Sequence, residues 1–97
     1  MTIDFIIKRE FFNEILSGKK KEEYRDCTDR LINKICVLDE NGNASGIKKI
    51  DSIRFFEGYV KGRREMLVEC LDVEVDTYED TDEDYFVFIL GKIFSHN

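Results

Sequence analysis

The stretch Glu65-Met66-Leu67-Val68-Glu69-Cys70-Leu71-Asp72-Val73-Glu74-Val75 has a strand-like alternation whose phase slips midway. Met66, Val68 and Cys70 fall on one face of an extended chain, and Leu71, Val73 and Val75 on the other. Side chains of a strand alternate between faces, so a one-residue slip carries the apolar set across the sheet. A long strand with such a slip predicts a β-bulge or a bend at a barrel corner. Downstream, Thr77 to Asp84 is an acidic loop. Tyr85 to Ile93 is apolar almost throughout, which predicts a strand covered on both faces. Upstream, Ile53, Phe55 and Phe56 mark a strand over Ile50 to Glu57. Gly58 to Arg63 (GYVKGR) reads as a basic, glycine-flanked connection.

Further out, Asp39 to Gly46 (DENGNASG) is dense in turn formers and reads as a loop. Ile3, Phe5 and Ile7 alternate as a short strand. Phe11, Phe12, Ile15 and Leu16 make one apolar stripe on a helix over Arg9 to Ser17. Gly18 stands where a left-handed C-cap belongs, and Lys19 to Lys21 suit the negative end of the helix dipole. No good N-cap residue precedes Arg9. Lys21 to Asp26 reads as a second strand, with Lys21, Glu23 and Arg25 on one face and Glu22, Tyr24 and Asp26 on the other. Asp26 or Thr28 caps a short helix carrying Leu31, Ile32 and Ile35. The order β-α-β-α-β-β-β predicts an α+β fold: a small, closed or nearly closed mixed β-barrel of about five strands, flanked by one or two short helices. The 97 residues fit one domain over 1–97.

Composition narrows the function classes. No proline, low-complexity tract or repeat supports a disordered reading. The first ten residues mix acids and bases, unlike a secretory signal, and no apolar run approaches a membrane span. Cys27, Cys36 and Cys70 are odd in number and widely spaced, as expected of small buried hydrophobes in a reducing, cytoplasmic setting. With His96 the sole histidine, a Cys/His zinc site needs an unusual ligand set, so neither metal nor cofactor is expected. The formal net charge is −6, which argues against long duplex nucleic acid. The distribution qualifies this: residues 1–64 hold 14 Lys/Arg against 11 Asp/Glu, whereas residues 65–97 hold one Lys against 10 acids. The basic part permits an anion-binding face.

The segment Gly18-Lys19-Lys20-Lys21-Glu22-Glu23-Tyr24-Arg25 fits the pattern G-x-K-x-x-E-x-R at Gly18, Lys20, Glu23 and Arg25. It resembles the signature of ASCH domains, members of the PUA-like superfamily, in the setting of strand, amphipathic helix, motif and strand. Asp51-Ser52-Ile53-Arg54-Phe55-Phe56-Glu57-Gly58-Tyr59 is similar to a strand and turn of one branch of that family. Thr28 to Ile35, Met66 to Val75 and Val87 to Phe94 resemble its short helix and last two strands, so the likeness covers roughly 3–94. It implies a PUA-like barrel with a cleft beside the signature, associated with binding RNA or nucleotides. A bacterial branch hydrolyses acylated cytidine nucleosides with a lysine, a threonine and a distant glutamate. Lys20 occupies the lysine position, but Glu23 stands where the threonine would be, so that mechanism lacks its hydroxyl here.

From the residues alone, Glu23 and Arg25 are an i,i+2 pair on one strand face: either a solvated ion pair worth little, or an oriented guanidinium fork offered to a phosphate or base edge. The motif favours the second. Lys20 is either a solvated helix end or part of a phosphate platform. Arg54, Lys61, Arg63 and Arg64 with Tyr59 are either a charged turn or a basic-aromatic group for a single-stranded base. The binding reading requires this group to share a face with Arg25. Tyr24, Phe55, Phe56, Tyr85, Phe86 and Phe88 read as core, and residues 79–84 as a solvated acidic loop. The leading expectation is an RNA- or nucleotide-binding domain without evident catalysis. Lys20 and Arg25 contact the anion, Glu23 positions Arg25, and Arg54, Tyr59, Lys61 and Arg64 line the rim. The second is a small amidohydrolase on a modified nucleoside, with Lys20 as base and Glu23 in the catalytic set. The third is a protein-interaction domain using its acidic C-terminal part, with the partner left open.

Overall fold

The computed structural model describes residues 1–97. β1 (Thr2–Ile7), α1 (Arg9–Leu16), β2 (Glu22–Asp26) and α2 (Asp29–Ile35) lead into a short hairpin of β3 (Cys36–Leu38) and β4 (Ala44–Ile47). β5 (Ser52–Glu57), β6 (Glu65–Thr77) and β7 (Asp84–His96) complete the chain. Five strands form one mixed sheet in the order β1-β5-β6-β7-β2. β1 pairs parallel with β5, and the other three pairings are antiparallel. The fold is α+β, with the sheet curled into a half-barrel and two short helices beside it. Closure stops short of the closed ring that the strand count allows: β1 and β2 are the sheet's two edges, each with one partner strand.

The parity slip in β6 is a register break. Cys70 pairs with Leu90 and Asp72 with Ile89, so Leu71 is the extra residue and points out at 61% exposure. Further shifts follow Leu67 and Val68. This bulged zone bends the long β6–β7 hairpin, as an extra residue on one strand does. One side of the bend packs the core; beyond it the hairpin carries Val75 into solvent.

Ile3, Phe5 and Ile7 of β1 point inward, as the alternation predicts, against Ile53 and Phe55 of β5 and Phe88 of β7. Phe12 and Ile15 of α1 are buried, whereas Phe11 stays exposed. The helix ends at Gly18, whose φ of +82° suits a residue without Cβ. Lys8 precedes α1 without a side-chain cap. Thr28 caps α2, its Oγ1 accepting from the Leu31 N–H at 3.2 Å, which resolves the choice between Asp26 and Thr28.

Two expectations are corrected. Asp39 to Gly46 is the turn and second strand of the β3–β4 hairpin, closed by Asp39 Oδ1 accepting from the Asn41 and Asn43 N–H groups at 2.9 Å. Tyr24 is not core: it is 51% exposed. Its ring sits edge-on to half-buried Tyr85, which stacks on Tyr78 with centroids 4.3 Å apart. Each of these hydroxyls donates to a carboxylate, so the rings sit at the surface without leaving a polar group unpaired. Phe55, Phe86 and Phe88 are core, and Phe56 is half-buried.

Candidate functional site

Gly18 turns the chain out of α1, and the Lys20 N–H donates to Glu14 O at 3.0 Å. Lys21 O then accepts from the Leu90 N–H, which docks the start of β2 on β7. This fixes Glu23 on the inner face of the half-barrel, only 6% exposed. A carboxylate there costs several kcal/mol unless it is paired and hydrogen-bonded. Both its oxygens meet cations: Oε1 is 3.3 Å from Lys20 Nζ, and Oε2 accepts from Arg25 Nε at 3.0 Å and Nη2 at 2.8 Å.

Arg25 spans the open seam. Its Nη2 also donates to Ile6 O on β1 at 3.1 Å, and its guanidinium lies 4.2 Å from the centroid of the Phe5 ring. A side chain on one edge of the sheet thus fastens to the other edge where no strand pairing exists. Nη1 makes no hydrogen bond within the protein.

Two clefts flank this arginine. The first, of about 570 Å³, has Lys8, Phe11, Lys20, Glu23, Tyr24 and Tyr78 among its walls. Lys20 Nζ sits 5.7 Å from the Phe11 centroid and 5.4 Å from that of Tyr24. The hydroxyls of Tyr24 and Tyr78 donate to Glu22 and Asp26, and those bonds, before burial and charge, push both phenols above their ordinary range. The second cleft, of about 410 Å³, runs between β1 and α2 and includes Arg25, Arg30, Lys34 and Tyr59.

Glu23 and Arg25 therefore meet as their spacing on one strand face predicts, and Lys20, grouped with them by the motif, joins them. Lys21, expected on that face, lies exposed before β2. Tyr59 shares a groove with Arg25. The other basic residues do not join them, so the shared face expected of the whole basic-aromatic group is met by Tyr59 alone. Arg54 lines a separate groove with Leu67 and His96. Lys61 is exposed in the β5–β6 connection. Arg64 donates to Glu57 Oε2 at 2.6 Å and to Asn13 Oδ1 at 2.6 Å, over the Phe12 ring. Glu57, 8% exposed, is held below the ordinary carboxylate range by that hydrogen bond first and by the charges of Arg64 and Arg9. Arg63 donates to Gly58 O and stacks on Phe56. Arg63 and Arg64 brace the fold. Sequence reasoning missed Lys8, Phe11, Tyr78, Arg30 and Lys34; the i,i+4 spacing of the last two was the one available signal.

No three His, Cys, Asp or Glu side chains gather into a group able to hold a metal ion. The three cysteines are free, and burial raises each thiol above its ordinary value. No helix is long and apolar enough to cross a membrane. Compared with protein-family models, curated proteins and solved structures, the chain gives no match.

Proposed function

We propose that the chain is an ASCH domain of PUA-like type that binds RNA or a nucleotide at the seam beside Gly18 to Arg25. One observation carries this reading. Arg25 is locked by Glu23 and the Ile6 carbonyl, yet keeps Nη1 without a protein partner in the wall of an open cleft. A pre-oriented, permanently charged fork suits a phosphate oxygen or a base edge, because little side-chain freedom remains to be lost on binding. Lys20 adds a second cation in the same cleft, and Phe11 and Tyr24 offer apolar surface to a base. The curled mixed sheet with two short helices supports the PUA-like assignment. Three unpaired thiols favour a cytoplasmic setting.

The amidohydrolase reading has less support. No serine or threonine lines the cleft that Lys20 shares with Arg25, and both phenols there are engaged with carboxylates. Ser17 lies with Lys20 in a separate groove, where its hydroxyl donates to Glu14 O at 3.1 Å.

The test is fluorescence anisotropy with short single-stranded RNAs and a hairpin, at low and moderate salt, for wild type, Arg25→Lys and Arg25→Ala. Salt-sensitive binding weakened about tenfold or more in Arg25→Lys, with unchanged circular dichroism, supports the proposal. Absence of wild-type binding at low salt rejects it and directs the search to turnover of acylated nucleosides, with Lys20→Ala as the control.

A further inference from the structure

The first cleft does not end at Arg25. Ile6, Arg25 and Asp26 wall both it and the groove along α2, so the arginine stands on a ridge between two adjoining depressions. Arg30 and Lys34 lie one turn apart on one face of α2, about 6 Å along its axis. That matches the spacing of successive phosphates in an extended single strand. Both are exposed, and neither enters an ion pair.

Tyr59 completes the groove. It follows Gly58, whose N–H donates to Ile7 O and anchors the turn to the end of β1. Its ring is 86% exposed, the highest value among the large hydrophobic residues. An aromatic face left in water beside unpaired cations is the combination that holds unstacked bases. Across both depressions the cations are Lys8, Lys20, Arg25, Arg30 and Lys34. The carboxylates are Asp4, Glu23 and Asp26, of which Glu23 is taken up by Lys20 and Arg25. The seam is thus net positive in a chain whose net charge is −6.

We infer that the ligand of the seam is a single-stranded oligonucleotide, not a mononucleotide. Its internucleotide phosphate sits on Arg25. One nucleotide occupies the cleft of Lys20, Phe11 and Tyr24, and the next lies along α2. Beyond it Arg30 and Lys34 take the two phosphates that follow, so that two nucleotides lie along α2, and Tyr59 takes one of their bases. This rests on the RNA reading above and assigns that reading a substrate length and a second set of contacts.

The experiment compares a fluorescein-labelled randomised RNA tetramer with a mixture of nucleoside monophosphates as competitors. The proteins are wild type, Arg25→Lys, Arg30→Gln/Lys34→Gln and Tyr59→Ala. Lys49→Gln/Lys92→Gln, which removes two cations outside both depressions, is the charge control. The tetramer is expected to bind wild type at least tenfold more tightly than the monophosphates. In Arg30→Gln/Lys34→Gln that ratio collapses toward one, and the slope of log affinity against log salt shrinks by about 1.4. Tyr59→Ala weakens the tetramer about tenfold. Equal affinity for tetramer and monophosphates overturns the inference. So does tetramer binding that Arg25→Lys abolishes but Arg30→Gln/Lys34→Gln leaves intact, and so does an equal loss in the charge control. In those three cases the proposed function survives; no wild-type binding of either ligand overturns both.

Discussion

Glu23 keeps a carboxylate on a face otherwise given to the apolar core, and does so because Lys20 and Arg25 neutralise it from two sides. Removing one partner of a fully buried pair costs about 3–5 kcal/mol. Here the two cations keep partial access to water, so Glu23→Ala is expected to cost about 2 kcal/mol in urea unfolding. It also frees Arg25 to rotate. If Glu23→Ala lowers stability while RNA affinity stays at the wild-type level, orientation of Arg25 by Glu23 is not part of binding. The other buried acid, Glu57, makes a prediction about pH. Its carboxyl titrates lower in the folded state, first through the hydrogen bond from Arg64. The folded protein therefore holds fewer protons there than the unfolded chain. The resulting stabilisation is whole above the ordinary value of 4.5 and is lost as pH falls through the depressed one. The stability gap between wild type and Glu57→Gln should be widest near neutrality and narrow as pH falls below 4.5. A gap of constant size would assign the effect to packing instead. The nearness of Glu23 and Arg25 was legible because residues two apart on a strand share a face. The fate of Arg64 was not, since Glu57 and Asn13 reach it only through the fold.

At the level of elements, the bulged zone of the β6–β7 hairpin leaves no room for a side chain at Gly91. A Cβ on Gly91 would lie 2.3 Å from Glu69 Oε1 and 3.1 Å from Leu71 Cδ2. Glu69 can swing away only by giving up its bond from the Lys92 N–H at 3.2 Å. Gly91→Ala should cost about 1–2 kcal/mol, and much of that should return in a Glu69→Ala background. Additive losses in the double-mutant cycle would place the strain elsewhere. The bulge itself was readable, because strict period-two alternation makes a slip visible between Cys70 and Leu71. The β3–β4 hairpin was not. Val37 and Leu38 are exposed, and Ala44 to Gly46 are small, so no alternation separates the strand from its turn. Tyr24 and Tyr85 misled for a different reason. Aromatic residues on strands suggest burial, but a phenol that finds a carboxylate can stay at the surface, as these do through Glu22 and Asp76.

For the whole molecule, the sequence is polarised, yet the fold mixes its halves. Tyr78, at the head of the acidic turn, stands in the same cleft as Lys20 and Arg25 and hydrogen-bonds Asp26 at 2.9 Å. An acidic turn that begins beside a basic seam should admit a thin strand and repel a duplex. Neutralising Asp80, Asp82 and Glu83 to amides is expected to raise affinity for an RNA hairpin several-fold at low salt and to change the tetramer little. A fall in either affinity would mean that the turn makes contacts of its own. The openness of the half-barrel was beyond reach of the sequence: strand count limits the shape, but whether β1 meets β2 depends on curvature. One more property follows from the parallel pairing of β1 with β5, in which Ile3 lies beside Ile53. During synthesis β1 emerges ahead of its only strand partner and waits while about 50 further residues are added, roughly 3–10 s at common elongation rates. For that interval an apolar strand has no sheet edge to join, and its pairing can begin only once β5 has been made.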